Sequence, residues 1–216
     1  MIKAVVFDVG ETLVDESTEY GAWADWLGVP RHTFSAAFGA GIALGHDYRD
    51  VFKKFRPDFE LGVERARRAE AGIPETFGAD DLYPDAWPVL RRLRDGGVWL
   101  GVAGNQTSRA GEILRCLDLP VDMIATSADW GTAKPEAAFF RHLTAAAPCG
   151  AEEICYVGDR LDWDVRPAAA AGLRTAWIKR GPWMNLRDDE AAAMATFRLS
   201  SLMELPELVA EFNAAR

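Results

Sequence analysis

A chain of 216 residues, 49% hydrophobic and 26% charged, has room for one sizeable core or for a core with a small insertion, and its balance excludes a disordered or fibrous chain. Its 33 acidic residues outnumber 24 basic ones, for a net charge of -9. Such a surface repels phosphate backbones and anionic lipid, so neither nucleic acid nor membrane is an expected partner, while a local metal or lysine still admits an anionic small molecule.

The first element in the chain is a near-continuous apolar run at residues 4–7, which ends at Asp8 and Gly10. That pattern predicts a strand buried on both faces, as in a parallel sheet. No long apolar leader and no cleavage site accompany it, and no stretch of about 18 apolar residues occurs elsewhere, so neither a signal peptide nor a membrane span is expected. Residues 15–81 carry helical patterns at 20–26, 32–38, 48–55 and 59–71 with no strand between them, which predicts an all-helical insertion.

Alternation then sets in. Apolar runs at 98–103, 123–126, 154–157 and 174–178 are separated by helical patterns at 85–94, 107–117, 136–146 and 162–171, and a last helix is expected at 204–214. The predicted fold class is α/β, a doubly wound parallel Rossmann-like sheet. Cys116, Cys149 and Cys155 have no metal-ligand spacing, so free thiols and a reducing, cytoplasmic setting are expected.

In such sheets functional groups gather beyond the carboxyl ends of the strands. Here those ends carry Asp8, the pair Gly104 and Asn105, and Asp159 followed by Asp164, with Lys134 before Pro135 at a helix start. Three carboxylates repel unless a cation lies among them, and hard oxygen ligands suit Mg²⁺.

These segments, FDVGETL, GVAGNQ, GTAKPEAAFF and VGDRLDWD, resemble in order the four motifs of the haloacid dehalogenase superfamily, and the likeness covers nearly the whole chain. The resemblance implies a core of residues 1–14 and 82–216 with a type C1 helical cap at 15–81, closing by hinges near 14–17 and 80–84. It implies a hydrolase, a phosphatase of a small phosphorylated metabolite, with Asp8 as nucleophile forming an aspartyl-phosphate. Mg²⁺ would be held by Asp8, Asp159, Asp164 and the main-chain carbonyl of Gly10. Lys134 would neutralise the transferring group, and Asn105, beside Gly104, would hold phosphoryl oxygens.

The chain departs from that pattern twice. Gly10 stands where the family's phosphatases carry the Asp that moves protons, a loss of typically about 10²- to 10⁴-fold. Gly104 stands where a hydroxyl is usual. Glu11 is one candidate to replace the missing Asp, and Thr107 or Ser108 to replace the hydroxyl, although either hydroxyl is expected first as a helix cap. Slow turnover is expected, with preference for good leaving groups such as acyl or aryl phosphates, and Gly10→Asp is expected to raise turnover of alkyl phosphates. The same residues would suit a non-catalytic protein that binds a phosphorylated ligand or a partner. A haloacid dehalogenase also lacks the second Asp, but the retained acidic pair argues against that reading. In the insertion, Trp23, Trp26, His32, His46, Tyr48 and Arg49 are candidates to line the cleft, each more simply read as core or surface. Lys53 and Lys54 read as a solvated face.

Overall fold

The computed structural model describes residues 1–186 and 189–215. Six strands, β1 (Ala4–Phe7), β2 (Trp99–Gly104), β3 (Met123–Thr126), β4 (Ile154–Gly158), β5 (Arg174–Ile178) and β6 (Phe197–Leu199), form one sheet in the order β3-β2-β1-β4-β5-β6. Every pairing is parallel. The chain leaves β1 towards β2 on one side and returns to β4 on the other, so the loops after β1 and β4 meet at the switch point of a doubly wound sheet.

The unbroken apolar run of β1 follows from its place. Val5 and Phe7 pack into one layer with Leu90, Leu114 and Val209, whereas Ala4 and Val6 pack into the other with Phe139, Phe140 and Leu143. Both faces of a central strand are thus buried, and an alternating pattern would put polar groups into one of them. Strand β6 has only three residues, with Phe197 and Leu199 buried and Arg198 exposed between them. An edge strand that short leaves too little periodicity to read, and it is absent from the sequence-based expectation.

Four helices, α1 (Ser17–Leu27), α2 (Arg31–Ala43), α3 (Asp50–Phe55) and α4 (Leu61–Glu70), lie between β1 and α5 (Ala86–Asp95). They pack around an apolar cluster of Trp23, Phe34, Phe38, Phe52 and Phe59, which Trp183 joins from beyond β5. Within it the rings of Phe52 and Phe59 stack at 4.5 Å and 9°. The two connections to the sheet run side by side: Asp15 N–H donates to Asp81 O at 2.8 Å and Tyr83 N–H to Leu13 O at 2.9 Å.

The remaining helices are α6 (Ser108–Cys116), α7 (Ser127–Trp130), α8 (Ala137–Ala146), α9 (Arg166–Ala170), α10 (Asp189–Met194) and α11 (Leu205–Ala214). The helix expected at 162–171 is a composite, a π-helical turn over Leu161–Val165 running into α9. All three cysteines are free thiols. Among the described residues no helix is long and apolar enough to cross a membrane.

Candidate active site

Asp8 is the first residue beyond β1, and its N–H still donates to Val157 O of β4 at 2.8 Å, which ties it to the neighbouring strand. Asp159 is likewise the first residue beyond β4. The π turn that follows brings Asp164 back over the strand end, where Arg160 N–H donates to Asp164 Oδ2 at 2.9 Å. A Cβ on Gly158 would lie 2.6 Å from Asp164 Cβ, so glycine at the end of β4 makes the close approach of that carboxylate possible. π turns of this kind often accompany functional sites because they re-aim one side chain without ending the helix.

Lys134 comes from the loop before α8 and is held by its backbone. Its N–H donates to Asn105 Oδ1 at 2.7 Å, and its carbonyl accepts from Asn105 Nδ2 at 2.9 Å. That clamp sends the side chain inward, 5% exposed, where Nζ lies 2.7 Å from Asp8 Oδ1 and 2.6 Å from Asp164 Oδ1. The Asn105 amide is therefore largely committed to positioning Lys134, with one amide hydrogen left for another acceptor.

The three carboxylates each present an oxygen, all within 4.8 Å of one another, and all three residues are buried. Asp159 Oδ2 has no hydrogen-bond partner. Burial, reinforced by Asp164 and Asp8, raises the Asp159 carboxyl well above the ordinary range. Burial pushes Asp164 up to about 6 against the opposing pull of Lys134. For Lys134, burial alone would lower the ammonium, but Asp164 and Asp8 outweigh it and hold it well above its usual value. A buried acceptor without a donor beside two further carboxylates is what a hard divalent cation satisfies, so the residues present fit Mg²⁺.

Gly10 lines the same cleft, together with Asp8, Asn105, Lys134 and Asp159. At Gly104 a Cβ would run into Asp8 Oδ1 and lie 3.3 Å from Val9 Cγ2, so a hydroxyl-bearing side chain there would have to move the Asp8 carboxylate. Thr107 caps α6, its Oγ1 accepting from Ala110 N–H at 3.0 Å while donating to Glu75. Ser108 is exposed. The capping reading therefore holds for Thr107, and neither hydroxyl is among the residues lining the cleft.

Glu11 does not line the cleft either. It is buried on the other side of the loop, where Oε2 accepts from Tyr83 Oη–H at 2.6 Å and Oε1 from Glu16 N–H at 3.3 Å. The carboxylate that does reach the cleft is the half-buried Glu16. Burial, then Glu11 and Asp8, push its carboxyl up to about 8. Nothing in the sequence pattern singled it out.

Of the candidates in the insertion, Tyr48 lines the cleft. Trp23 is in the helical core, and Trp26 packs against that core and donates from Nε1 to Glu64 at 2.8 Å. His32 faces a separate cavity of about 540 Å³, and His46, Arg49, Lys53 and Lys54 are exposed. The cleft lining also has an aromatic and cationic part made by Arg160, Trp163 and Trp183. The Arg160 guanidinium lies 3.8 Å from the Trp163 ring centroid and 4.9 Å from that of Trp183, and it is held by Asp162 at 3.0 and 2.6 Å. Tyr48 meets both indoles edge-on at 6.1 and 6.0 Å. The sequence reading did not single out Arg160, although it lies between two candidate ligands; its side chain is placed by Asp162, Trp163 and Trp183.

Comparison with known proteins adds an independent line. The sequence model for haloacid dehalogenase-like hydrolases matches residues 2–172. A glyceraldehyde 3-phosphate phosphatase of Methanopyrus kandleri is 27% identical over 98% of this chain and 98% of its own length. One from Methanocaldococcus jannaschii is 33% identical over 130 residues, 59% of this chain and 56% of that protein, so this match spans little more than half of the relative. The crystal structure of a HAD phosphatase from Thermococcus onnurineus superposes with a TM-score of 0.60 at 26% identity, covering 96% of this chain and 98% of that one.

Proposed function

Because the chain belongs to the haloacid dehalogenase-like hydrolases, we propose that it is a Mg²⁺-dependent phosphatase of a small phosphorylated metabolite, working through an aspartyl-phosphate at Asp8. The observation that carries this reading is the buried trio of Asp8, Asp159 and Asp164 with Lys134 between two of them. The named relatives act on glyceraldehyde 3-phosphate, an alkyl monoester, which supports a substrate of that chemical class.

When bound, Mg²⁺ supplies charge neutralisation that lets a carboxylate approach an anionic phosphoryl group. Asp8, Asp159, Asp164 and the Gly10 carbonyl are the groups to hold it. An Asp8 oxygen attacks phosphorus, the bond to the leaving oxygen breaks, and water then cleaves the aspartyl-phosphate to release phosphate and regenerate the carboxylate. Lys134 keeps Asp8 oriented and offsets charge on the transferring group. The helical unit, 15–81, acts as a cap over this core of 1–14 and 82–216 and excludes water. The dehalogenase alternative has no use for the buried acidic pair, and no observation favours a purely binding role over turnover.

The test is phosphate release from a panel of small phosphate monoesters in Mg²⁺, with mass spectrometry of acid-quenched protein. Activity that vanishes in EDTA and in Asp8→Asn, and a phosphoryl adduct on the peptide containing Asp8, are the expected results. Full activity in Asp8→Asn would sink the reading.

A further inference from the structure

We propose that Glu16 is the proton donor and acceptor of this reaction, standing where a side chain at position 10 would stand. The proposal rests on the phosphatase reading above. A Cβ added at Gly10 would lie 2.6 Å from Glu16 Cδ, 2.6 Å from Oε1 and 2.9 Å from Oε2. The first volume that any side chain on residue 10 would enter is thus already filled by a carboxylate, which arrives from the start of α1.

Two further observations give that carboxylate a task. It lines the same cleft as Asp8, Lys134 and Asp159, in which the phosphoryl group and the oxygen that leaves on the face opposite Asp8 would lie. Among the described residues it accepts no hydrogen bond and makes no ion pair, while its own main-chain N–H is held by Glu11. A half-buried carboxylate in a charged cleft without a structural partner is available for proton transfer. Glu11 is not, since both of its oxygens are engaged on the far side of the loop.

The chemistry balances with one such group. As Asp8 oxygen bonds to phosphorus and the bond to the alkoxide oxygen breaks, the Glu16 O–H proton goes to that oxygen and an alcohol leaves. The Glu16 carboxylate then takes a proton from water, the water oxygen bonds to phosphorus, and the bond to Asp8 breaks. Inorganic phosphate leaves and Glu16 is again protonated. Alkyl monoesters, whose leaving oxygen needs a proton, are therefore within reach of a chain that lacks Asp at position 10. Gly10→Asp alone would put two carboxyl groups into one space, so the gain expected from sequence requires Glu16 to be removed as well.

The experiment compares wild type, Glu16→Gln, and Gly10→Asp combined with Glu16→Ala, using p-nitrophenyl phosphate and glycerol 3-phosphate in Mg²⁺. Glu16→Gln is expected to release about one equivalent of nitrophenolate in a burst, since that leaving group needs no proton, and then to stall with phosphoryl label on Asp8. Steady-state hydrolysis of glycerol 3-phosphate should fall about 10²- to 10⁴-fold, and the double variant should recover at least about tenfold of that loss. The burst itself reports an intact fold, and the double variant keeps the test alive if Glu16→Gln is unstable. Wild-type steady-state rates on both substrates in Glu16→Gln, with no accumulated adduct, overturn the proposal alone. Wild type that neither turns over nor labels at Asp8 overturns the phosphatase reading and this proposal with it.

Discussion

Lys134 is a buried cation between two buried carboxylates, and such a group does two opposite things. It stabilises a metal-free protein by compensating Asp8 and Asp164, and, on the proposed reading, it would compete electrostatically with the divalent cation held there. Removing one partner of a buried ionic cluster typically costs about 3–5 kcal/mol, so Lys134→Met should melt markedly lower in EDTA. Mg²⁺ should then raise the melting temperature of the variant by more than it raises that of wild type; an equal increment would contradict the competition. Asp164 gives a pH signature. Its carboxyl at about 6 is raised above the ordinary value near 3.9, so the folded metal-free protein holds a proton that the unfolded chain has released. The stability from this group is complete below about pH 3.9 and is lost as pH rises through about 6. Because a ligand carboxylate must be ionised, stabilisation by Mg²⁺ should grow over that same interval. Thermal melts at pH 5 and pH 8, each with EDTA and with Mg²⁺, would check it, and a pH-independent increment would refute it.

At the scale of elements, the central strands were legible because a parallel strand buried on both faces has to be apolar at every position. β1 and β4 both meet that condition along their whole length. The three-residue edge strand β6 does not, and it escaped. The π turn at Leu161–Val165 escaped as well, since helical spacing does not distinguish one wide turn from an ordinary one; yet that turn brings Asp164 back over the end of β4. The start of α6 illustrates how an element joins two parts of the molecule. Thr107 both caps the helix and donates to Glu75 in the connection that follows α4. Thr107→Ala should cost about 1 kcal/mol for the cap, plus about 1–3 kcal/mol for leaving the Glu75 carboxylate short of a donor. A urea titration giving a loss under about 0.5 kcal/mol would show that the contact carries nothing.

On the scale of the whole molecule, the cleft over Asp8 has a volume of about 90 Å³. A phosphoryl group fits this space, and an adjoining cavity that shares Glu16, Tyr20, Tyr48 and Asn105 with it continues the cleft along the inserted helices. Trp183, which follows β5, packs into the aromatic cluster of those helices against Phe38 at 5.5 Å and thereby holds them down. Trp183→Ala should destabilise the protein by about 3–5 kcal/mol and speed amide hydrogen exchange in α2 and α3 while leaving β1 and β4 protected. Unchanged exchange in those helices would mean that the contact does not hold them in place.

The chain by itself determined strands β1 to β5, the helical insertion and the strand ends where Asp8, Asn105 and Asp159 lie, because burial of a central strand and the periodicity of helices are local properties of sequence. It did not determine what fills the space beside Gly10 or why Gly104 carries no side chain. Glu16 enters one of those spaces and the Asp8 carboxylate the other, and both depend on the path of loops through space. No rule of spacing along the chain expresses that a carboxylate six positions later returns to the volume a missing side chain left; only packed coordinates do, since excluded volume is a property of atoms that are near in space and not in order.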